Sequence, residues 1–212
     1  MQLIGMLDSP YVRRVAISLQ RLGLPFEHRA LSVFSSYAQF SQINPVVKAP
    51  SLVCADGSVL MDSTLILDLA EHLAGPDRSL MPSGIGERQQ ALRIIGLALA
   101  ACEKSVQVVY ERNLRPADKQ HQPWLERVTE QLLQAYAALE AELIRAPLAY
   151  ERHSIDQAGI STAVAWRFTQ AMLPDLVPAA QFPALQQFSA SAEALPEFAA
   201  APHGLGTYPA GD

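Results

Sequence analysis

The spacing of apolar and polar positions changes character about one third of the way along the chain. Leu3, Ile4 and Met6 form a short apolar run that suits a buried strand. Ser9-Pro10 then reads as a helix start, with Ser at the cap and Pro at the first helical position. Val12, Val15, Ala16 and Leu19 continue it at helical spacing, and Gly23 stands where a C-terminal cap belongs. Residues 26–31 predict a second strand, parallel to the first through the helical crossover. Asn44-Pro45 marks a turn. Residues 51–54 and 59–61 flank Ala55-Asp56-Gly57-Ser58, and Asp-Gly between two apolar runs signals a hairpin. Asp62-Ser63 opens a further helix, with Leu65, Ile66, Leu69 and Leu73 predicted on its apolar face. The order strand, helix, strand, hairpin, helix makes a small sheet with helices, an α/β unit.

Residues 76–86 are rich in Gly, Pro and Ser, and beyond them the strand signals vanish. Leu92, Ile95, Leu99, Cys102, Val106 and Val109 recur every three or four residues, as do Trp124, Val128, Leu132, Tyr136, Leu139 and Leu143. Both runs read as amphipathic helices of an all-α bundle, each too short for a coiled coil. A third helix starts near residue 156. Ser154 with Gln157 offers a capping box. Asp156 offers a cap with Ile155 and Ile160 as a hydrophobic staple, and is preferred because His153 and Ala158 cannot staple well. The expected division is therefore 1–76, a linker over 77–86, and an all-helical domain over 87–212, with the tail from 202 irregular.

Composition narrows the function classes. The 212 residues are 50% hydrophobic and 17% charged, with 16 Lys and Arg against 21 Asp and Glu, a net charge of −5. This is a globular composition without the basic field that nucleic acid requires. The start lacks a signal peptide pattern and no run suits a membrane span. Only Cys54 and Cys102 occur, so a disulfide scaffold is excluded and reduced thiols in a cytoplasmic protein are expected. The five histidines show no metal-ligand spacing, and no metal is expected. Gly204-Leu205-Gly206 follows no strand, which argues against a phosphate loop. Ser9 lacks the Gly-x-Ser-x-Gly elbow of a hydrolase.

The chemistry concentrates at Ser9-Pro10-Tyr11-Val12. Thiol–disulfide oxidoreductases of the thioredoxin fold carry a Cys-Pro-Tyr-Cys-type motif between the first strand and first helix. Here both cysteine positions are changed, to Ser9 and Val12, so dithiol chemistry cannot run. A hydroxyl at a helix N-terminus remains, a setting that favours an anion. The missing sulfur would then arrive on the ligand. Lys48-Ala49-Pro50 precedes the third strand, where Pro50 is a candidate for a cis bond and the Ala49 backbone is free to pair with an extended peptide. Asp62-Ser63, at another helix N-terminus, suits one ammonium and one carboxylate.

On these segments the chain resembles the cytosolic glutathione transferases over nearly its whole length. The family's Ser-Pro-x-x-Arg pattern matches Ser9 to Arg13, its Lys-Val-Pro matches Lys48-Ala49-Pro50, and its Glu-Ser matches Asp62-Ser63 with a shorter acid. Residues 158–170, including Ala-Val-Ala-Trp-Arg-Phe, resemble bacterial members, although Gly159 stands where the family often has an Asp. The resemblance implies a thioredoxin-like N-terminal domain followed by an all-helical one. It also implies glutathione as co-substrate, a hydrophobic electrophile as second substrate, and a homodimer acting in detoxification. Ser9 would donate to the glutathione sulfur as the catalytic residue, with Tyr11 as an alternative donor. Ala49, before a cis-Pro50, would pair with the cysteinyl part. Asp62 and Ser63 would hold the γ-glutamyl end, with Lys48 near the glycine carboxylate. Tyr11, Phe34, Tyr110 and Trp166 are candidates for the second-substrate pocket, with core packing the competing role for Trp166. Arg13 and Arg14 are expected as ion partners that support the fold. The alternatives are a non-catalytic binding or regulatory protein of this fold, and a glutathione-dependent peroxidase or thiol reductase. The last usually places Cys at the Ser9 position.

Overall fold

The first strand, β1 (Gln2–Ile4), is buried at Leu3 and Ile4, as its apolar run requires. This computed structural model describes residues 1–204, so residues 205–212 of the expected irregular tail, including Leu205 and Gly206, lie outside the described residues. The chain divides into two compact units. One comprises Met1–Met81 with residues 194–204, and the other Pro82–Glu193. The break falls inside the 77–86 segment. Residues 194–204, which the sequence reading assigns to the helical domain, belong to the first unit.

In that unit β1 leads into α1 (Pro10–Arg21), then β2 (Glu27–Arg29), α2 (Tyr37–Ile43), β3 (Ser51–Val53), β4 (Val59–Met61) and α3 (Ser63–Ala74). The four strands are ordered β2-β1-β3-β4, with β1 and β2 parallel and the other two pairs antiparallel. Gly23, at φ +67, ends α1 as expected. Its amide donates to Gln20 O and that of Leu24 to Leu19 O, the paired bonds of a Schellman motif. The Asp-Gly hairpin forms with Gly57 at φ +85.

Two expectations fail here. The sequence reading has no helix between β2 and β3, where α2 forms. This seven-residue helix buries only Phe40 and has no side-chain cap, so it leaves no periodic signal. The predicted face of α3 is also misplaced. Ile66, Leu67, Ala70 and Ala74 are buried, whereas Leu65 and Leu73 are 64% and 50% exposed. The large Ile66 and Leu67 and the small Ala70 and Ala74 share the inward face, which is rotated away from Leu65 and Leu73.

The second unit contains α4 (Ile85–Leu114), α5 (Gln122–Arg145), α6 (Gln157–Met172) and α7 (Pro183–Glu193). The buried stripe of α4 is Ala91, Ile94, Ile95, Ala98, Ala101, Cys102, Ser105 and Val108. It lies about one position from the predicted one, so Leu92 is exposed. The α5 stripe holds at Val128, Leu132, Tyr136, Leu139 and Leu143, and Trp124 at its N-terminal end is exposed. Asp156 caps α6 by accepting from Gly159 N at 2.8 Å, with Ile155 and Ile160 buried. The sequence reading does not separate α7, because its cap comes from another helix. The Glu140 carboxylate on α5 accepts from Ala184 N and Leu185 N at 2.8 and 2.9 Å.

Back in the first unit, the short α8 (Pro196–Ala199) packs on α1. Arg13, expected as an ion partner, is fully buried and donates to the backbone oxygens of Ala201 and Phe198, its guanidinium 5.6 Å from the Phe198 ring centre. Among the described residues no helix is long and apolar enough to cross a membrane.

Candidate functional site

Strand register assembles the site. Ile4 pairs with Ser51 and Ser51 with Met61, so the end of β1, the start of β3 and the end of β4 form one row across the sheet. The segments beyond that row are residues 5–9, Lys48-Ala49-Pro50 and Asp62-Ser63. Residues distant in sequence thus meet at one sheet edge.

Gly5 makes the approach close. Its φ is +138, and a Cβ there would sit 2.6 Å from Val12 Cγ2 and 3.1 Å from Ala49 Cβ. The loop from β1 into α1 therefore lies against the Ala49 segment. His28 Nε2–H donates to the Gly5 carbonyl at 2.7 Å and braces that loop, and burial lowers its pKa. Neither Gly5 nor His28 was singled out from sequence. A Gly ending a strand just before Ser-Pro is the signal that was there to read.

Ser9 caps α1 with its side chain, accepting from Val12 N at 3.4 Å. That bond is long, and the hydroxyl proton has no partner among the described residues. Ser9 is half-buried at the positive end of a twelve-residue helix. Tyr11 lies in the first turn of α1, also half-buried. The neighbouring Asp8 carboxyl is pushed up by burial and pulled back by the amides of Ser9 and Asp8.

The Ala49-Pro50 peptide bond is cis. Three bonds pin the segment around it. Asn44 Nδ2 donates to Ser51 Oγ at 2.8 Å, Ser51 Oγ donates to Lys48 O at 2.7 Å, and Val46 N donates to Asn44 Oδ1 at 3.0 Å. Val47 stands at φ +52, unusual for a β-branched residue and held there by this network. The Lys48 side chain is exposed, with no ion pair among the described residues.

Asp62 also takes a positive φ, +73, and caps α3 through Oδ1 to Thr64 N at 2.8 Å. Its second oxygen has no partner among the described residues. Ser63 is buried, and Arg14 Nη1 donates to its Oγ at 3.0 Å and to Thr64 Oγ1 at 3.3 Å. Arg14, expected as an ion partner, thus ties α1 to the N-terminus of α3.

The candidate pocket aromatics come from both units. Phe34 in the first unit and Tyr110 in the second are exposed. Trp166 is only 3% exposed and stands edge-on to Tyr136 and Phe182, at 5.3 and 5.8 Å between ring centres. It belongs to the core of the helical unit. It also reaches a groove on α6 and α7 lined by Arg167, Gln170, Gln186, Ser189 and Glu193. Among the described residues no group of three or more His, Cys, Asp or Glu is placed to hold a metal.

A half-free hydroxyl and two helix N-termini beside a cis-Pro segment can receive an extended anionic peptide. Residues 3–78 match the family model for the glutathione S-transferase N-terminal domain. A glutathione transferase family member from Pseudomonas fluorescens Pf-5, solved with bound glutathione, is 32% identical. That alignment covers 94% of this chain and 97% of the other, with a TM-score of 0.82. The chain belongs to the glutathione transferase family. A glutathione S-transferase from Methylobacterium radiotolerans, solved with glutathione sulfonate, is 28% identical over 93% of this chain and 92% of the other, with a TM-score of 0.83. The uncharacterized GST-like protein YibF of Escherichia coli (strain K12) is 28% identical over 78% of this chain and 81% of its own length. The small mixed sheet and the helical region that follows are the thioredoxin-like and all-α parts of this glutathione transferase fold.

Proposed function

We propose that the protein is a glutathione transferase that binds glutathione at the Ile4–Ser51–Met61 sheet edge and activates its thiol with Ser9. The carrying observation is that one strand row brings the Ser9, Ala49 and Ser63 segments together. Relatives of similar length and fold hold glutathione or its sulfonate, which supports the same ligand here. In this reading the Ala49 backbone pairs with the cysteinyl residue, Pro50 shapes the turn, and Lys48 faces the glycine carboxylate. Ser63 takes the γ-glutamyl carboxylate, and the free oxygen of Asp62 takes its ammonium.

A free thiol titrates near about 8.5, and only the thiolate is a good nucleophile. Lowering that by ~2 units takes roughly 2.7 kcal/mol of preferential stabilisation of the anion. A hydroxyl donor and the end of a helix together supply contributions of that size. The proton leaves to solvent. The thiolate then forms a C–S bond to an electrophilic carbon of a hydrophobic second substrate, whose leaving group departs with the electron pair. Cys54 and Cys102, neither of them in a disulfide, fit the reducing cytoplasm, and the exposed Leu65 and Leu73 on α3 offer apolar surface to a second copy in a homodimer.

Calorimetric titration with glutathione, followed by conjugation to an aryl halide, tests this. Binding at micromolar to millimolar concentration with measurable turnover is expected. No binding at millimolar glutathione ends the proposal. Binding without turnover on a panel of electrophiles favours the second reading, a non-catalytic glutathione-binding protein. The short Asp62, with one oxygen already committed to Thr64 N, keeps that reading in view.

A further inference from the structure

We propose that Arg14 is a positioning residue. Through Ser63 it makes the site selective for a ligand that carries a free α-carboxylate. The inference rests on the glutathione reading and deepens it.

Arg14 is 2% exposed and lies inside the unit, away from any solvent role. A guanidinium only donates, while a hydroxyl has one proton and two acceptor positions. Arg14 Nη1 occupies an acceptor position of Ser63 Oγ at 3.0 Å. The Ser63 proton therefore cannot point toward Arg14. It has no other partner among the described residues, so it is left for a ligand. Accepting from a charged donor polarises the O–H bond and strengthens what it donates. The neighbouring Thr64 N–H is already taken by Asp62 Oδ1 at 2.8 Å. The polarised hydroxyl thus becomes the oriented donor at this end of α3.

The second bond, from the same nitrogen to Thr64 Oγ1 at 3.3 Å, fixes the guanidinium along the first turn of α3. An ammonium cannot reproduce that planar arrangement. The result is a relay from Arg14 to Ser63 to the ligand. Its favoured partner is an anionic oxygen, and the unpartnered Asp62 oxygen beside it suits an ammonium. A zwitterionic α-amino acid head group has both.

The test compares glutathione with 4-aminobutyryl-cysteinylglycine, which lacks only the α-carboxylate of the γ-glutamyl group. Wild-type protein should prefer glutathione by roughly tenfold or more, the worth of one charge-assisted hydrogen bond. Arg14→Met should remove most of that preference while leaving the affinity for the analogue nearly unchanged. Ser63→Ala should do the same, and the double variant should lose no more than Ser63→Ala alone. A purely structural role for Arg14 would weaken both ligands equally, and that result overturns the proposal. So does a preference that survives Arg14→Met. Wild-type protein that binds neither ligand overturns the glutathione reading itself. If Arg14→Met does not fold, the Arg14 guanidinium nitrogen resonances of the wild type decide. A shift with glutathione but not with the analogue supports the relay, and equal shifts with both refute it.

Discussion

Buried polar groups behave differently in the two units. In the helical unit several answer one another, while Gln107 Oε1 and Thr162 Oγ1 are buried without a hydrogen-bond partner among the described residues. The Tyr136 hydroxyl donates to Ala165 O at 2.9 Å and meets Thr169 Oγ1 at 2.6 Å, which in turn lies 2.7 Å from Ser105 Oγ. Burial pushes the Tyr136 phenol far above its ordinary pKa, so it stays a neutral donor. Glu140 closes the N-terminus of α7. In the sheet unit the polar groups instead hold loops in place and stop short of completing them. Asn44 and Ser51 pin the cis-Pro segment, and Arg14 orients Ser63. The Ser9 proton, one Asp62 oxygen and Lys48 are left without partners among the described residues. Unpartnered polar groups gathered at one end of a sheet are candidates for meeting a ligand.

The comparison predicts opposite phenotypes for two hydroxyl deletions. Ser9→Ala should lower the conjugation rate by about a hundredfold, roughly 3 kcal/mol of transition-state stabilisation, typical of one lost oxyanion donor. Its cap bond is 3.4 Å long, so stability should fall by less than about 1 kcal/mol. Parallel kinetics and thermal melts read both. Turnover within threefold of wild type would take the catalytic role from Ser9 and turn attention to Tyr11. Tyr136→Phe should behave in reverse. It leaves Thr169 and Ala165 short of a partner, costs about 2 kcal/mol, and lowers the melting temperature by roughly 4–8 °C in a chain of this size. Glutathione affinity should stay unchanged. A large loss of affinity would mean that the helical core and the ligand site are not independent.

The same contrast explains what could be read from the sequence. Caps, turns and breakers were legible because a few adjacent residues determine them. Ser9-Pro10, Gly23, Asp-Gly and Asp156 all act where the pattern places them. Candidate site segments could be named in the sequence where the motif is short and local. What stayed hidden depends on partners distant in sequence. Gly5 matters because Ala49, far along the chain, lies against it. The α7 start is invisible because its cap is Glu140, on another helix. The buried side of α3 combines Ile66 and Leu67 with Ala70 and Ala74, and an alanine on the inward face leaves no apolar signal as strong as the outward Leu65 and Leu73. Arg14 reads as a generic ion partner until its target, Ser63, is seen.

Gly159 sharpens the contrast at smaller scale. Here a Cβ would lie 2.9 Å from Ile155 Cγ1 and 3.3 Å from Phe188 Cζ, both on buried side chains. Replacing Gly by Ala in a helix gains about 0.5–1 kcal/mol, while overpacking a core costs about 1–3 kcal/mol. Gly159→Ala should therefore destabilise the protein by about 1 kcal/mol in denaturant titration. A more stable variant would show that Ile155 yields easily and that the helical core is looser than its contacts suggest.

The smallest effect concerns Glu142, a buried carboxylate of α5 whose arginine partners are exposed. Arg145 first, then Arg93 and Gln90, donate to its carboxylate and hold its pKa at about 2, against an ordinary 4.5. A depressed carboxyl stabilises the fold when ionised. The contribution is complete above about 4.5, shrinks as pH falls, and is gone below about 2. Both arginine side chains are 60% exposed, so water and salt screen the cluster, and it contributes less than about 1 kcal/mol. Glu142→Gln should thus be slightly less stable than wild type at pH 7. The gap should close as pH falls from 5 to 2, and narrow at pH 7 in high salt. A gap that widens on acidification would have the wrong sign for an ion-paired carboxylate. It would place Glu142 among groups stabilised by protonation, unlike the ion-paired carboxylate that the Arg145, Arg93 and Gln90 contacts describe.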